Sequence, residues 1–248
     1  MSSRLVEIWP EIMAHASGGL LLTCSRTLVL ADVHLGYSWA QRRRGELGPL
    51  ADENTRHKLM QVLDELLPDK LLLSGDIVHA PSPSKPGVEF IEQVLTEIRG
   101  KTELIGIRGN HDRQFSKDFG GLGIPLVEEW TEGELTVTHG DRLPDRLIGR
   151  LAIGHLHPAI GLEDAAGVKQ RIPAFLVAGQ VVVLPAFSPF AAGFDVWRSI
   201  PEEIARLSQG SPPEVIAATG TRVVKMGPLH RLASPARGSR PRDYRGSK

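Results

Sequence analysis

Five apolar runs in this chain stop abruptly at Asp, Asn or His, usually beside a glycine. "VLADVHLG" ends in Asp32 and His34, and "LLLSGDIVH" ends in Asp76 with His79 three residues on. "GIRGNHD" ends in Asn110, His111 and Asp112, "LTVTHGD" in His139, and "LAIGHLHP" in His155 and His157. The apolar runs read as strands, and Asp, Asn and His are poor residues for continuing one. Each polar group therefore marks a loop at a strand end, where an α/β scaffold gathers a site. The i, i+2 spacing of Asp32/His34 and of His155/His157 puts both side chains on one side of an extended segment. If the five loops converge, two carboxylates, one carboxamide and several imidazoles meet.

Carboxylate oxygen and imidazole nitrogen suit divalent Mn, Fe, Zn or Co, and no thiolate is offered. Seven or eight such donors are too many for one tetrahedral ion but fit two. Two ions ~3.5–4 Å apart can clamp a phosphoryl group and generate a nucleophile. Taken singly, each motif is commonplace: Asp-x-His occurs by chance, and Gly-Asp after a strand is usually a turn. Six of the nine histidines nevertheless fall in these loops, leaving His15, His57 and His230 elsewhere. A dinuclear metal site is the expectation.

The charge balance gives no global pull toward phosphate: 29 basic residues face 29 acidic ones, so any attraction must be local. Cys24 is the one cysteine, which rules out an intramolecular disulfide and fits a reducing cytosol. No window approaches the roughly 20 apolar residues of a membrane span, and the start "MSSRLVEIWPEIM" carries no signal-length apolar core. A soluble cytoplasmic protein is expected. Helical spacing of apolar residues appears in "PLADENTRHKLMQVLDELLP" and "GVEFIEQVLTEIRG", between strand-like runs. After about residue 123 the pattern turns to strands alone, which reads as a β meander. This predicts one α/β domain over residues 1–228, a two-layered β core with helices outside. Residues 229–248, rich in Arg, Ser, Pro and Gly, read as a disordered basic tail.

The ordered set DxH, GDxxH, GNHD, HGD and GHxHP resembles the calcineurin-like metallophosphoesterase superfamily. The resemblance implies a four-layer α/β/β/α sandwich flanked by helices and a phosphoester hydrolase with two divalent ions. Mn²⁺ is the first choice, with Fe, Zn or Co compatible. By motif, Asp32, His34, Asp76 and His157 would hold one ion, and Asp76, Asn110, His139 and His155 the other, with Asp76 shared. A hydroxide between the ions would attack phosphorus, while His111 stabilises the transition state and protonates the leaving oxygen, oriented by Asp112.

A narrower resemblance, over residues 5–225, is to bacterial ligase-associated DNA-damage-response phosphoesterases and their archaeal relatives. It implies a phosphodiesterase or endonuclease acting on DNA or nucleotide-like diesters in DNA repair. A DNA ligase, a helicase and a second copy of the chain are the partners it suggests. Arg42, Arg43 and Arg44, soon after the first loop, and His79 are candidate substrate contacts, because Arg forks onto phosphate oxygens. "PAFSPFAAG" is expected to pack a strand edge near the cleft and offers no chemistry by itself. The alternatives are a small-molecule phosphomonoesterase or nucleotide pyrophosphatase on the same fold, and a non-catalytic interaction module.

Overall fold

The computed structural model describes residues 3–43, 45, 51–81, 83–163, 169–191, 193–197 and 200–232. A first sheet has the order β1 (Leu5–Trp9), β2 (Ile12–His15), β3 (Leu20–Leu22), β4 (Thr27–Ala31), β5 (Lys70–Ser74), β6 (Glu103–Ile107) and β7 (Leu126–Val127). Strands β1 to β4 form an antiparallel meander, and β4 to β7 run parallel. Parallel neighbours need long crossovers. Here α1 (Tyr37–Arg43) and α2 (Ala51–Leu66) carry the chain from β4 to β5, and α3 (Lys85–Arg99) from β5 to β6. The short α4 (Phe115–Phe119) follows β6.

The second sheet is built from β8 (Glu129–Glu132), β9 (Leu135–Thr138), β10 (Arg150–Ile153), β11 (Pro158–Glu163), β12 (Lys169–Ala178), β13 (Val181–Val183) and β14 (Phe194–Asp195). Its order is β14-β11-β12-β13-β10-β9-β8, and β15 (Glu214–Ala218) joins β12 to β16 (Val223–Pro228). Within it β9, β10 and β13 are parallel. Three of the first sheet's four parallel strands, β4 to β6, and the second sheet's β9, β10 and β13 thus make two parallel trios, and the candidate loops leave the carboxyl ends of β4, β5, β6, β9 and β10.

Period-two alternation explains why those strands read as unbroken apolar runs. Leu28 and Leu30 face the helices, whereas Val29 and Ala31 face the second sheet; Leu71 and Leu73 are likewise opposed to Leu72. Across the interface Ala152 and Val182 point inward, while Leu151, Ile153, Val181 and Val183 point to the far side. Strands covered on both faces have no polar side to show. The far face is covered in part by α5 (Glu202–Leu207) through Ile204 and Leu207, completing an α/β/β/α order of layers.

Several elements depart from the sequence expectation. The hairpin β1–β2 and helices α1 and α4 were not foreseen, and the second half is neither a meander nor strands alone, because its strands β9, β10 and β13 run parallel and it contains α5. That helix is six residues long, too short to show a period, although Glu202 and Glu203 at its start and Arg206 at its end suit the helix dipole. From residue 233 the expected basic tail lies outside the described residues.

Candidate metal centre

The two sheets meet where their parallel trios end. Ala31 forms a parallel bridge with Ala186, and the Ser74 hydroxyl donates to the Thr138 carbonyl at 3.0 Å. The loops after β4 and β5 are stitched together by His34 N to Asp76 O at 2.9 Å and Leu35 N to Ile77 O at 2.8 Å. In the second sheet Gly154 N donates to His139 O at 2.9 Å, and His155 N reaches across to Asp32 Oδ2 at 2.9 Å. Five separated motifs therefore share one hydrogen-bonded floor.

Its backbone is strained. Asp32, His34, Asp76, His155 and His157 all have φ between +44° and +61°, and they are five of the nine non-glycine residues with positive φ among the described residues. That region is sterically poor for a side chain and costs of order 1–3 kcal/mol each. The glycines before the motifs answer a different need, closeness. A Cβ on Gly75 would run into the His139 ring, and one on Gly109 into the backbone nitrogen of Asp76.

The donor atoms crowd together. His157 Nε2 lies 3.0 Å from Asp32 Oδ1, and His139 Nε2 lies 3.1 Å from Asn110 Oδ1, 3.1 Å from His155 Nδ1 and 3.5 Å from Asp76 Oδ1. Two clusters contain a carboxylate, Asp32, His34 and His157, and Asp32, Asp76 and His139, and a third is made of the imidazoles of His34, His79 and His111. Metal–ligand bonds of ~2.1 Å at right angles would separate neighbouring donors by roughly 3.0 Å, which matches these spacings. Asp32 and Asp76 are buried, and among the described residues their ion-pair partners are imidazoles. Burial, with neighbouring imidazoles next in weight, pushes the His34 pKa down to about 2, and burial followed by His139 lowers that of His155. With the pKa of His34 and His155 lowered beside two buried carboxyl groups, the site is a set of oxygen and nitrogen donors that divalent ions would satisfy. The residues fit a metal centre.

Residues 25–161, just over half of the chain, match the calcineurin-like phosphoesterase family model. The chain belongs to the calcineurin-like phosphoesterase family. It is a metal-dependent phosphoesterase, and the family works through a dinuclear centre, in keeping with the two clusters that contain a carboxylate. The crystal structure of Pseudomonas putida nuclease MPE is similar to this chain at TM-score 0.67 and 24% identity, covering 90% of this chain and 98% of that one. At that identity the likeness concerns the fold. A search of curated proteins finds no match.

Against the family's motif roles, two details differ. By distance the carboxylate common to those two clusters is Asp32, whereas the resemblance gives that place to Asp76. Asp76 instead turns Oδ1 toward His139 and Oδ2 toward His111, whose Nε2 is 3.9 Å away. The second difference concerns Asp112, expected to orient His111. Its buried carboxylate accepts from the backbone nitrogens of Gly109 at 2.9 Å, Val78 at 3.1 Å and Ile77 at 3.3 Å. It ties the third loop to the second. The partner of His111 Nδ1 is the His79 carbonyl, at 2.6 Å. Burial pushes the Asp112 pKa up to about 6, opposed by the three N–H donors.

An open cavity of about 310 Å³ lies over this floor, lined by His34, Asp76, Asn110, His111, His155 and His157 together with Tyr37, His79, Phe190 and Ala191. His79 thus reaches the cavity, and its ring also groups with those of His34 and His111. Arg42 does not line it; its guanidinium lies 4.7 Å over the Trp39 ring. The side chain of Arg43 and all of Arg44 lie outside the described residues. Sequence reading passed over Tyr37, which carries no motif, and put the segment holding Phe190 near the cleft without giving it a role. The one available hint was scarcity: the chain has two tyrosines, and one stands three residues after His34.

Proposed function

We propose that this phosphoesterase is a phosphodiesterase acting on nucleic acid or nucleotide-like diesters, with His111 as general acid. The observation that carries the reading is the make-up of the cavity. Candidate metal donors and His111 line it together with Tyr37, Phe190 and Ala191, and among the described residues no Lys or Arg does. A monoester dianion would ask for a cation beyond the metals. A diester brings one negative charge and a second substituent, which Tyr37, Phe190 and Ala191 can accept. That the P. putida neighbour is titled a nuclease points the same way.

Asp32, His34, Asp76, Asn110, His139, His155 and His157 are the residues we assign to two divalent ions, with Mn²⁺ the favoured choice for oxygen and nitrogen donors. When bound, the ions supply phosphoryl polarisation and an activated water. Burial lowers the pKa of His34 and of His155, so these two offer lone pairs at neutral pH. His111 is oriented from behind. Because the His79 carbonyl can only accept, Nδ1 must carry the hydrogen, and the tautomer is fixed. Nε2 is then the nitrogen left to bind a second proton, and it is as imidazolium, with both nitrogens protonated, that His111 would give the Nε2 proton to the departing ester oxygen. Asp112 holds the His111 loop in register with the Asp76 loop.

The test compares bis-p-nitrophenyl phosphate with p-nitrophenyl phosphate on protein reloaded with Mn²⁺. The diester should be preferred, and His111→Ala should lower its turnover by roughly 10²–10⁴-fold. Preference for the monoester would overturn the proposal.

A further inference from the structure

We propose that Tyr37 and Phe190 form a docking wall for one nucleobase of the substrate, which makes an unpaired, base-bearing phosphodiester the class of molecule this site takes. The inference rests on the phosphodiesterase reading and adds what flanks the phosphate. The two rings stack with centroids 5.5 Å apart and planes 18° from parallel, and both are half-buried in the wall of the cavity that holds His111. Tyr37 meets the His79 ring edge-on at 4.8 Å, and His79 lies 6.0 Å from the His111 ring. An aromatic surface thus begins within one nucleotide's reach of the general acid.

This wall is built, not incidental. Asp52, buried at the start of α2, accepts from Gly36 N at 3.0 Å and Ser38 N at 2.9 Å, while the Ser38 hydroxyl accepts from Ala51 N at 3.1 Å. These reciprocal bonds set the first turn of α1 and with it Tyr37. Gln41 Nε2 donates to the Tyr37 hydroxyl at 2.9 Å and fixes the ring's outer end. On the other side Phe187 N donates to Ala31 O at 2.8 Å and Ser188 N to Asp32 O at 3.2 Å, so the loop bearing Phe190 hangs from the same strand as the metal loop.

Chemistry selects the occupant. Uncharged aromatic faces recognise a flat π system, and every base has one, so stacking is tolerant of base identity. A paired base keeps its faces inside the duplex, so it must leave the stack to use such a wall. A sugar, an inositol or an acyl chain offers no comparable plane.

The test is calorimetric titration of Mn²⁺-loaded protein with the phosphorothioate of dithymidine, and with its analogue in which both bases are absent. The base-bearing ligand should bind about tenfold tighter to the wild type. Tyr37→Leu and Phe190→Leu should bring that ratio close to one, and Tyr37→Phe, which keeps the ring, should retain it. Equal affinity of the two ligands for the wild type, a ratio unchanged in both leucine variants, or no binding of either ligand would overturn the wall. If the ratio behaves as expected while bis-p-nitrophenyl phosphate is not hydrolysed, the wall stands and the diesterase reading falls. The reverse pattern removes the wall alone.

Discussion

The floor and the rim of the cavity are built on opposite terms. On the floor Asp32, His34, Asp76 and His139 are buried, five residues hold left-handed backbone, and glycines are required so that loops can touch. The rim is made of half-buried rings on α1 and on the loop after β13, held by ordinary caps and backbone hydrogen bonds. Strain on that scale persists where surrounding structure over-determines it. The difference teaches where the chemistry and the choosing reside: the floor fixes what reaction can occur, and the rim fixes what is brought to it.

Changes to the floor should be the most severe. Asp76→Asn, which removes a charge from the second donor cluster, should lower diester turnover by on the order of 10⁴-fold, measured with Mn²⁺ in excess. A loss of less than tenfold would mean that Asp76 is not a ligand. Next in size, Asp112→Ala would leave three buried backbone donors without their carboxylate, and we expect a stability loss of about 3 kcal/mol or more by denaturant titration. Asp112→Asn should lose less, because an amide oxygen still accepts.

The smallest effect tests the tie between floor and rim. Lys58 Nζ donates to the Phe187 carbonyl at 2.8 Å and lies 3.9 Å over the Phe187 ring. Burial pushes its pKa down from 10.5 to about 8. Between those values the unfolded chain holds a proton that the folded chain has released, so stability gained from this group rises with pH. Relative to Lys58→Met, the wild type should therefore gain up to about 3 kcal/mol as pH climbs from 8 toward 10.5. A flat difference would show that the ammonium is not buried.

How much of this was legible in the sequence follows the same division. The donors of the floor were readable because metal chemistry demands particular residue types, and strand ends hold them at fixed short spacings, as in Asp32/His34 and His155/His157. The strands of the first sheet were readable because strands covered on both faces show unbroken apolar runs, whereas the parallel pairing of β9, β10 and β13 was not, since with no long helical pattern between them they read as a meander. Asp112 was misassigned because its neighbour in sequence, His111, is not its partner in space. Its partners are backbone nitrogens 34 and 35 residues away, and Gly109, none of which a side-chain motif records. The pairing of Tyr37 with Phe190 was invisible for a related reason. They meet only once the first and second sheets are joined, and neither the first residue of a short helix nor a ring in a loop has a spacing rule to announce such a contact. The role of His79 is half of each kind: its ring was noticed, but its carbonyl does the orienting.

The most direct test of the account is the number of ions that the five loops bind. Equilibrium dialysis of metal-stripped protein against Mn²⁺, followed by elemental analysis, should give two ions per chain for the wild type and fewer for Asp76→Asn. Tyr37→Leu, altered on the rim, should still take up two. One ion or none in the wild type, or two retained by Asp76→Asn, would contradict a dinuclear centre built from these loops.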